Sequence, residues 1–552
     1  MSPPSYEGES YREPTEEEWK TLLETSDSIP KSAYLVILVE FCERFTYYGL
    51  TGPFQNYIQF PDPPNGYPAE NPGALGKGQQ TATALTTFFQ FWCYCTPIIG
   101  AIIADQYLGK YNTILVFACI YFIGLVILTC TSIPAAIASG AAFPGFVVSL
   151  IIIGLGTGGI KANVSPLIAE QYPHNKPYVR TLKSGKQIIV SPQATYQKLF
   201  NMFYFGINCG SLAAIATTLI EKHVGFWPAY LLPTAVFVPG ILIVLLGKNY
   251  YIQTPPRGSI FLEVARVIRL SFKSGGLDGA KPSKLQHTDP ALAATVTWDD
   301  IFVDEVRRTL KACVIFCWFP IYWLCYSQMT NNLVSLVATT QTGSVPNDIM
   351  QNINPITLVI CIPIMDRFVY PGLRRIGFPM RPMARITCGF VFASLGMAYT
   401  AIVQHIIYST GPYYDHPTGN KNDVSAGLVV PSYVLIGISE IFASITGLEY
   451  AFKKAPEKMK SLVMALFLFT NCISALLAFA LVSVAVDPKL LWMYTGIAVA
   501  TMICAVLFYV LHGKNDKTDV EEDNIVRDKQ AKEEYKHTEA IDEYETVIKA
   551  NA

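Results

Sequence analysis

From Tyr34 to His512 the chain alternates long apolar runs with short polar breaks. A helix of about 20 apolar residues spans the hydrocarbon core of a bilayer, so each such run predicts one crossing. Twelve runs qualify, near residues 34–60, 79–107, 111–133, 146–170, 196–221, 226–248, 309–340, 348–372, 382–410, 425–454, 459–486 and 490–512. Their longest connection, Tyr250 to Arg308, divides them six and six. Two six-helix halves that rock around a central site have this arrangement, which points to a transporter. The expected organisation is an N-terminal segment (1–33), a first six-helix bundle (34–248), a linker (249–308), a second bundle (309–512) and a charged tail (513–552).

Positive charge gives these runs a direction. Residues 171–195 hold four Lys and Arg, 247–311 ten, 371–385 four and 451–461 four, whereas 133–145 and 341–347 hold none. The positive-inside rule then puts the basic connections and both termini in the cytoplasm. In the linker, Ile260, Phe261, Val264, Val267, Ile268 and Phe272 recur at helical spacing, with Arg266, Arg269 and Lys273 between them. That pattern fits a helix on the cytoplasmic leaflet, and equally a plain surface linker helix. The tail carries 12 acids and 7 bases with few large apolar residues, the composition of a solvated, disordered or loosely helical segment. Residues 1–30 are polar and acidic and read as no cleavable signal peptide, which leaves the first helix as the insertion signal.

Composition narrows the class. With 51% hydrophobic and 15% charged residues and a net charge of −1, the chain is expected in a lipid bilayer and has no basic excess to hold nucleic acid. Its 13 Cys are spread almost entirely through apolar runs, where a reduced Cys is a small hydrophobe; Cys93 with Cys95, and Cys313 with Cys317, lack a His at metal spacing. The seven His are dispersed, with no His-Glu-x-x-His pattern. Neither a metal site, a cofactor nor an enzyme active site is expected.

The chemistry lies in charges at membrane depth. Glu40, Glu43 and Arg44 interrupt the first run, and each costs at least about 2.5 kcal/mol there unless paired or hydrated. At i, i+3 and i+4 they share one helix face, so both carboxylates can reach the guanidinium or a proton, and a shared proton suggests proton-driven transport. The alternative is a structural salt bridge, although one Arg needs only one acid for neutrality. Lys161 follows Gly-Thr-Gly-Gly-Ile in the fourth run, where small residues let a neighbouring helix approach closely; this cation wants an acid partner. Glu440 sits near the middle of the tenth run, with Glu449 nearer its cytoplasmic end. Asn208, in an aromatic stretch, is a neutral donor and acceptor or simply helix glue. Cations Arg44 and Lys161 in one half and Glu440 in the other suit a zwitterion bridging the halves, walled by Tyr47, Tyr48, Tyr94, Tyr322, Trp323 and Tyr326, unless those rings only pack helices.

Four motifs in order resemble the proton-dependent oligopeptide transporter family, most closely its fungal-type di/tripeptide permeases, over about residues 30–512. They are Glu40-Phe-Cys-Glu43-Arg44-Phe-Thr-Tyr47-Tyr48-Gly49; Gly100 to Tyr111 with Asp105, Gly109 and Lys110; Phe203-Tyr-x-x-Ile-Asn208-x-Gly-Ser; and Thr446-Gly-Leu-Glu449-Tyr through Ala455-Pro456-x-x-Met459-Lys460-Ser461. The resemblance implies a major facilitator fold: all-α, twelve transmembrane helices, two six-helix halves. It implies Arg44, Lys161 and Tyr48 toward a peptide carboxylate, Asn208 and Glu440 toward its amine, Tyr94 and Trp323 lining the pocket, and Glu40 and Glu43 carrying or relaying the proton. Ser327, ahead of Gln328, stands where many members have an acid, Thr51 where its Arg partner often lies, and Thr87 where animal members have a His. Coupling then falls on Glu40, Glu43 and Glu440. The expectation is a proton-coupled symporter importing di- and tripeptides at the plasma membrane, with protons as coupling ion; a carrier of anions or other solutes on the same fold and a non-transporting peptide sensor are the alternatives.

Overall fold

The computed structural model describes residues 21–174, 176–181, 187–256, 258–376, 380–417, 420–454 and 459–514, together with Arg12, Pro14, Thr15 and Glu18. The charged tail beyond residue 514 lies outside the described residues. The first membrane helix, α1 (Lys31–Thr51), has 21 residues, and Gly52-Pro53 stops it short of the run that predicted it; the short helix Phe54–Gln59 follows. Eleven helices among the described residues are long and apolar enough to cross a membrane. They are α2 (Gly78–Leu108), α3 (Lys110–Thr131), α4 (Ala142–Glu170), α5 (Ala194–His223), α6 (Phe226–Asn249), α7 (Asp300–Ala338), α8 (Asp348–Leu373), α9 (Pro382–Ser409), α10 (Ala426–Tyr450), α11 (Leu462–Val484) and α12 (Leu490–His512). Among the described residues, α1 is set apart from the other eleven by Glu40, Glu43 and Arg44, three charged side chains within five positions in the middle of its apolar stretch.

Buried apolar side chains form one cluster within residues 29–251 and another within 315–508. Close approach in the first cluster comes from the glycines of α4. A Cβ on Gly159 would run into the Phe117 ring of α3, one on Gly158 into Thr96 of α2, and one on Gly156 into Tyr121 of α3. The small residues ahead of Lys161 are therefore the surface on which α2 and α3 lie, the packing device of membrane helices that cannot draw on the hydrophobic effect.

Two features depart from the sequence reading, and a third, the linker helix, bears on a choice that the reading left open. The all-α expectation missed a small sheet of order β1-β3-β2, in which β1 (Leu23–Thr25) pairs parallel to β3 (Gln187–Val190) and β2 (Tyr178–Thr181) pairs antiparallel to it. Asp27 fastens it, accepting hydrogen bonds from Tyr178 (2.9 Å) and Tyr172 (3.3 Å) and pairing with Arg180. Burial, then the Asp27 carboxylate, pushes the Tyr172 phenol up to about 12, so it donates throughout the physiological range. The amphipathic linker helix Ile260–Lys273 forms, but Val264 and Val267 are buried against Phe302, Val303, Val306, Met459 and Leu462, so its apolar face packs on the second half and only Phe272, 85% exposed, points away. Finally, α7 is not uniform: 3₁₀ turns at Val314–Trp318 and Gln328–Thr330 bracket a short α-helical piece, Phe319–Ser327.

Candidate functional site

The structure brings the three charges of α1 together. Arg44 Nε lies 3.1 Å from Glu40 Oε1, and the Arg44 guanidinium also pairs with Glu43. All three are buried. Glu43 has a second donor, the Thr157 hydroxyl of α4, at 2.6 Å, whereas Glu40 Oε2 has no hydrogen-bond partner among the described residues. The α-helical i, i+4 geometry sets the first pair, and Gly210 of α5 makes room for it: a Cβ there would sit 2.9 Å from Arg44 Cβ. One guanidinium thus holds two carboxylates, an arrangement that a proton on either acid would loosen.

Lys161 has no acid at ion-pair distance among the described residues. Its ammonium stands over the Tyr94 ring, 4.0 Å from the centroid, a cation–π contact that leaves its donors unspent. Tyr48 is within electrostatic range of Arg44, Lys161 and Glu440, and Tyr94 of Arg44 and Glu440. In the second half, Glu440 accepts a hydrogen bond from Asn354 Nδ2 of α8 at 2.9 Å, and Asn354 also lies 3.4 Å from the Tyr326 hydroxyl. Glu440 is half-buried and ends an α-helical stretch; a π-helical turn, Ile441–Ile445, follows it. Such turns are frequent at functional positions.

Two expected site residues are placed differently. Asn208 is exposed and donates to the Tyr204 carbonyl of its own helix at 2.9 Å, so it neither meets Glu440 nor joins neighbouring helices through that bond. Trp323 is 6% exposed, wedged among Tyr322, Tyr326 and Phe467, and its indole N–H donates to Thr470 at 2.9 Å. It is a core residue of the second half, as is the fully buried Tyr322, while Tyr326 stays half-buried near Glu440. Thr157 and Asn354 were missed by sequence reasoning, because a Thr and an Asn inside apolar runs carry no signal until the helices that bring them to Glu43 and Glu440 are packed.

Hydrogen bonds between the halves cluster at one end, beyond the α1 terminus. Asn56 and Asn347 exchange amide hydrogen bonds of 2.8 and 2.9 Å, Gln55 donates to Ser335 at 2.9 Å, Thr83 to Asn332 at 3.0 Å, and Lys421 pairs with Glu70 at 2.9 Å. Ser327 and Thr51 each donate to a carbonyl of their own helix. Amides and hydroxyls, with the Lys421–Glu70 ion pair, join the halves at this end.

Known proteins are similar to this chain in sequence and in fold. The family model described as POT family matches residues 111–503. Probable peptide transporter ptr2 of Schizosaccharomyces pombe is 50% identical over 527 residues, 94% of this chain and 83% of that protein. Peptide transporter PTR2 of Saccharomyces cerevisiae is 44% identical over 521 residues, 94% of this chain and 85% of that one. In fold, the in meso crystal structure of the POT family transporter PepTSo aligns with a TM-score of 0.70 at 23% identity, over 89% of this chain and 99% of that one.

Proposed function

The chain belongs to the POT family, and from that premise and the site geometry we propose that it is a proton-coupled symporter that imports di- and tripeptides across the plasma membrane, with both termini cytoplasmic and the closed end external. The observation that carries this reading is the buried Arg44 held by two carboxylates in one half, across from Glu440 in the other, with Tyr48 and Tyr94 in range of both. A proton arriving on Glu40 or Glu43 neutralises one partner and frees Arg44 for the peptide carboxylate. Glu40, with one oxygen unpartnered, is open to that proton. Lys161, whose donors are unspent, adds a second cation; Glu440 receives the peptide amine.

A peptide so held bridges both halves, and that differential contact is what binding contributes to closure around it. Release into the cytoplasm returns Arg44 to its carboxylates. Protons are the coupling ion in this scheme and no other cofactor takes part. One proton crossing about 100 mV and one pH unit supplies about 3.7 kcal/mol, enough for roughly 500-fold accumulation of a neutral peptide at one proton per peptide. Uptake of labelled dipeptide into proteoliposomes under an imposed pH gradient tests the reading. Accumulation that collapses with the gradient supports it; binding without uptake would make the chain a sensor.

A further inference from the structure

Two carboxyl groups used by neither the Arg44 network nor the peptide site meet at the closed end. Glu221 lies near the end of α5 and Asp348 opens α8, so they come from opposite halves, and both are 0% exposed. Asn347, the residue before Asp348, exchanges amide hydrogen bonds with Asn56, which also donates to Glu221 at 2.8 Å, so the two carboxyl groups face each other within hydrogen-bonding reach. Two carboxylates offer no hydrogen to each other, so a hydrogen bond between them requires one shared proton. The other neighbours do not replace that proton. Asn56 Nδ2 donates to Glu221 Oε1 at 2.8 Å, but Glu221 Oε2 and both Asp348 oxygens meet no donor in good geometry among the described residues. The backbone amides of Asp348 and Ile349 lie beside the Asp348 carboxyl.

The surroundings suit a single negative charge. Lys222, buried next to Glu221, directs its ammonium at the Val345 and Gly343 carbonyls, 2.9 and 3.4 Å away, and is within electrostatic range of Asp348. Tyr230 feels both acids, Tyr67 feels Glu221 and Tyr433 feels Asp348; Tyr57 stacks edge-on against Tyr230, and the Tyr57 and Tyr230 hydroxyls are buried without a partner among the described residues. Farther out stands the Lys421–Glu70 pair. Two desolvated carboxyls in contact cannot both ionise, so one cation beside them balances the one charge that remains.

We propose that Glu221 and Asp348 form a proton-binding site assembled from both halves, and that the proton they share latches the closed end. When the halves part there, each acid returns to water and ionises above about pH 4.3. The closed form then holds one more proton than the open form, so acid favours closure, by up to about tenfold in the closed-to-open ratio per pH unit. This site is separate from Glu40 and Glu43, and it rests on the transport reading only for the assignment of this end as external.

The test is a distance measurement on the full-length chain in liposomes, with genetically encoded spin labels at exposed Asn65 and Asp415, on loops of opposite halves at this end. Choline buffer without peptide keeps metal cations and substrate out, and the pH runs from about 5 to about 8, above the ordinary carboxylate range. The short-distance population of the unsubstituted chain is expected to grow as pH falls. Glu221→Gln and Asp348→Asn each keep one negative charge and donate the bridging hydrogen bond without a titrating proton, so each is expected to flatten that dependence. A pH-independent distance in the unsubstituted chain, or an unchanged pH dependence in both substituted chains, overturns the latch. Should one variant fail to fold, the other and the unsubstituted titration still decide. Dipeptide uptake, assayed separately, reports on the transport reading alone.

Discussion

A carboxylate buried against an arginine keeps its charge only through the donors it can reach, and Glu43 reaches two: the Arg44 guanidinium and the Thr157 hydroxyl. Glu43→Gln preserves shape and can still accept from Thr157, but it cannot take up a proton. Concentrative uptake is expected to be lost in that variant while peptide exchange across liposomes persists at a reduced rate; full pH-driven accumulation would remove Glu43 from the coupling scheme. Trp323 leads to a different expectation from the one its aromatic ring suggests. Because it is buried and its N–H is bonded to Thr470, Trp323→Ala should open a cavity and cost about 3–5 kcal/mol of stability, seen as a lower unfolding temperature in detergent. A variant of unchanged stability with weakened binding of apolar dipeptides would return Trp323 to the pocket wall. At this scale the sequence made the charged residues legible, since a charge in an apolar run needs a reason. It could not tell Trp323 from Tyr326, because two aromatic residues three apart differ only in what lies opposite.

Helices reveal themselves through periodic or continuous apolarity, and so the membrane elements were readable from the chain, including α1 despite its charges. The strands β1 and β3 were not: they have three and four residues, lie in polar breaks, and pair across more than 150 positions. The linker helix was legible as a helix and ambiguous as to its partner, since a lipid surface and the Phe302–Val306 face of α7 accept the same apolar stripe. Glycine offers a sharper test at the level of helix contacts. A Cβ at Gly159 of α4 collides with the Phe117 ring of α3, whereas one at Gly496 of α12 meets nothing within 4 Å. Gly159→Ala is therefore expected to lower stability by about 1–3 kcal/mol through overpacking, and Gly496→Ala to be neutral or to add a few tenths through helix propensity. Thermal unfolding of the two variants side by side checks this, and equal behaviour would mean that α3 and α4 do not pack as described.

In the whole molecule, groups with opposite charge preferences are divided between the halves: Arg44 and Lys161 in the first, Glu440 in the second. Charge bookkeeping along the chain made that division legible; the closed end was not, because Asn56, Asn347, Gln55 and Ser335 are ordinary polar residues until the halves meet. A ligand held at both ends by groups on separate bodies is selected by the distance between its own charges more than by its side chains. Di- and tripeptides should therefore compete with one another for uptake, and single amino acids and pentapeptides should not. Blocking either end removes one anchor: an acetylated amine loses Glu440 and an amidated carboxylate loses Arg44 and Lys161. Glu440→Gln is then expected to weaken the native dipeptide by about tenfold, on the scale of a charge-assisted hydrogen bond, while leaving the already weak acetylated peptide unchanged. Inhibition constants for a length series and for the blocked dipeptides, measured with the unsubstituted and Glu440→Gln chains, decide the matter. Equal competition by native, acetylated and amidated dipeptides would mean that the ligand does not span the halves, and would favour an anion carrier that has no amine to receive.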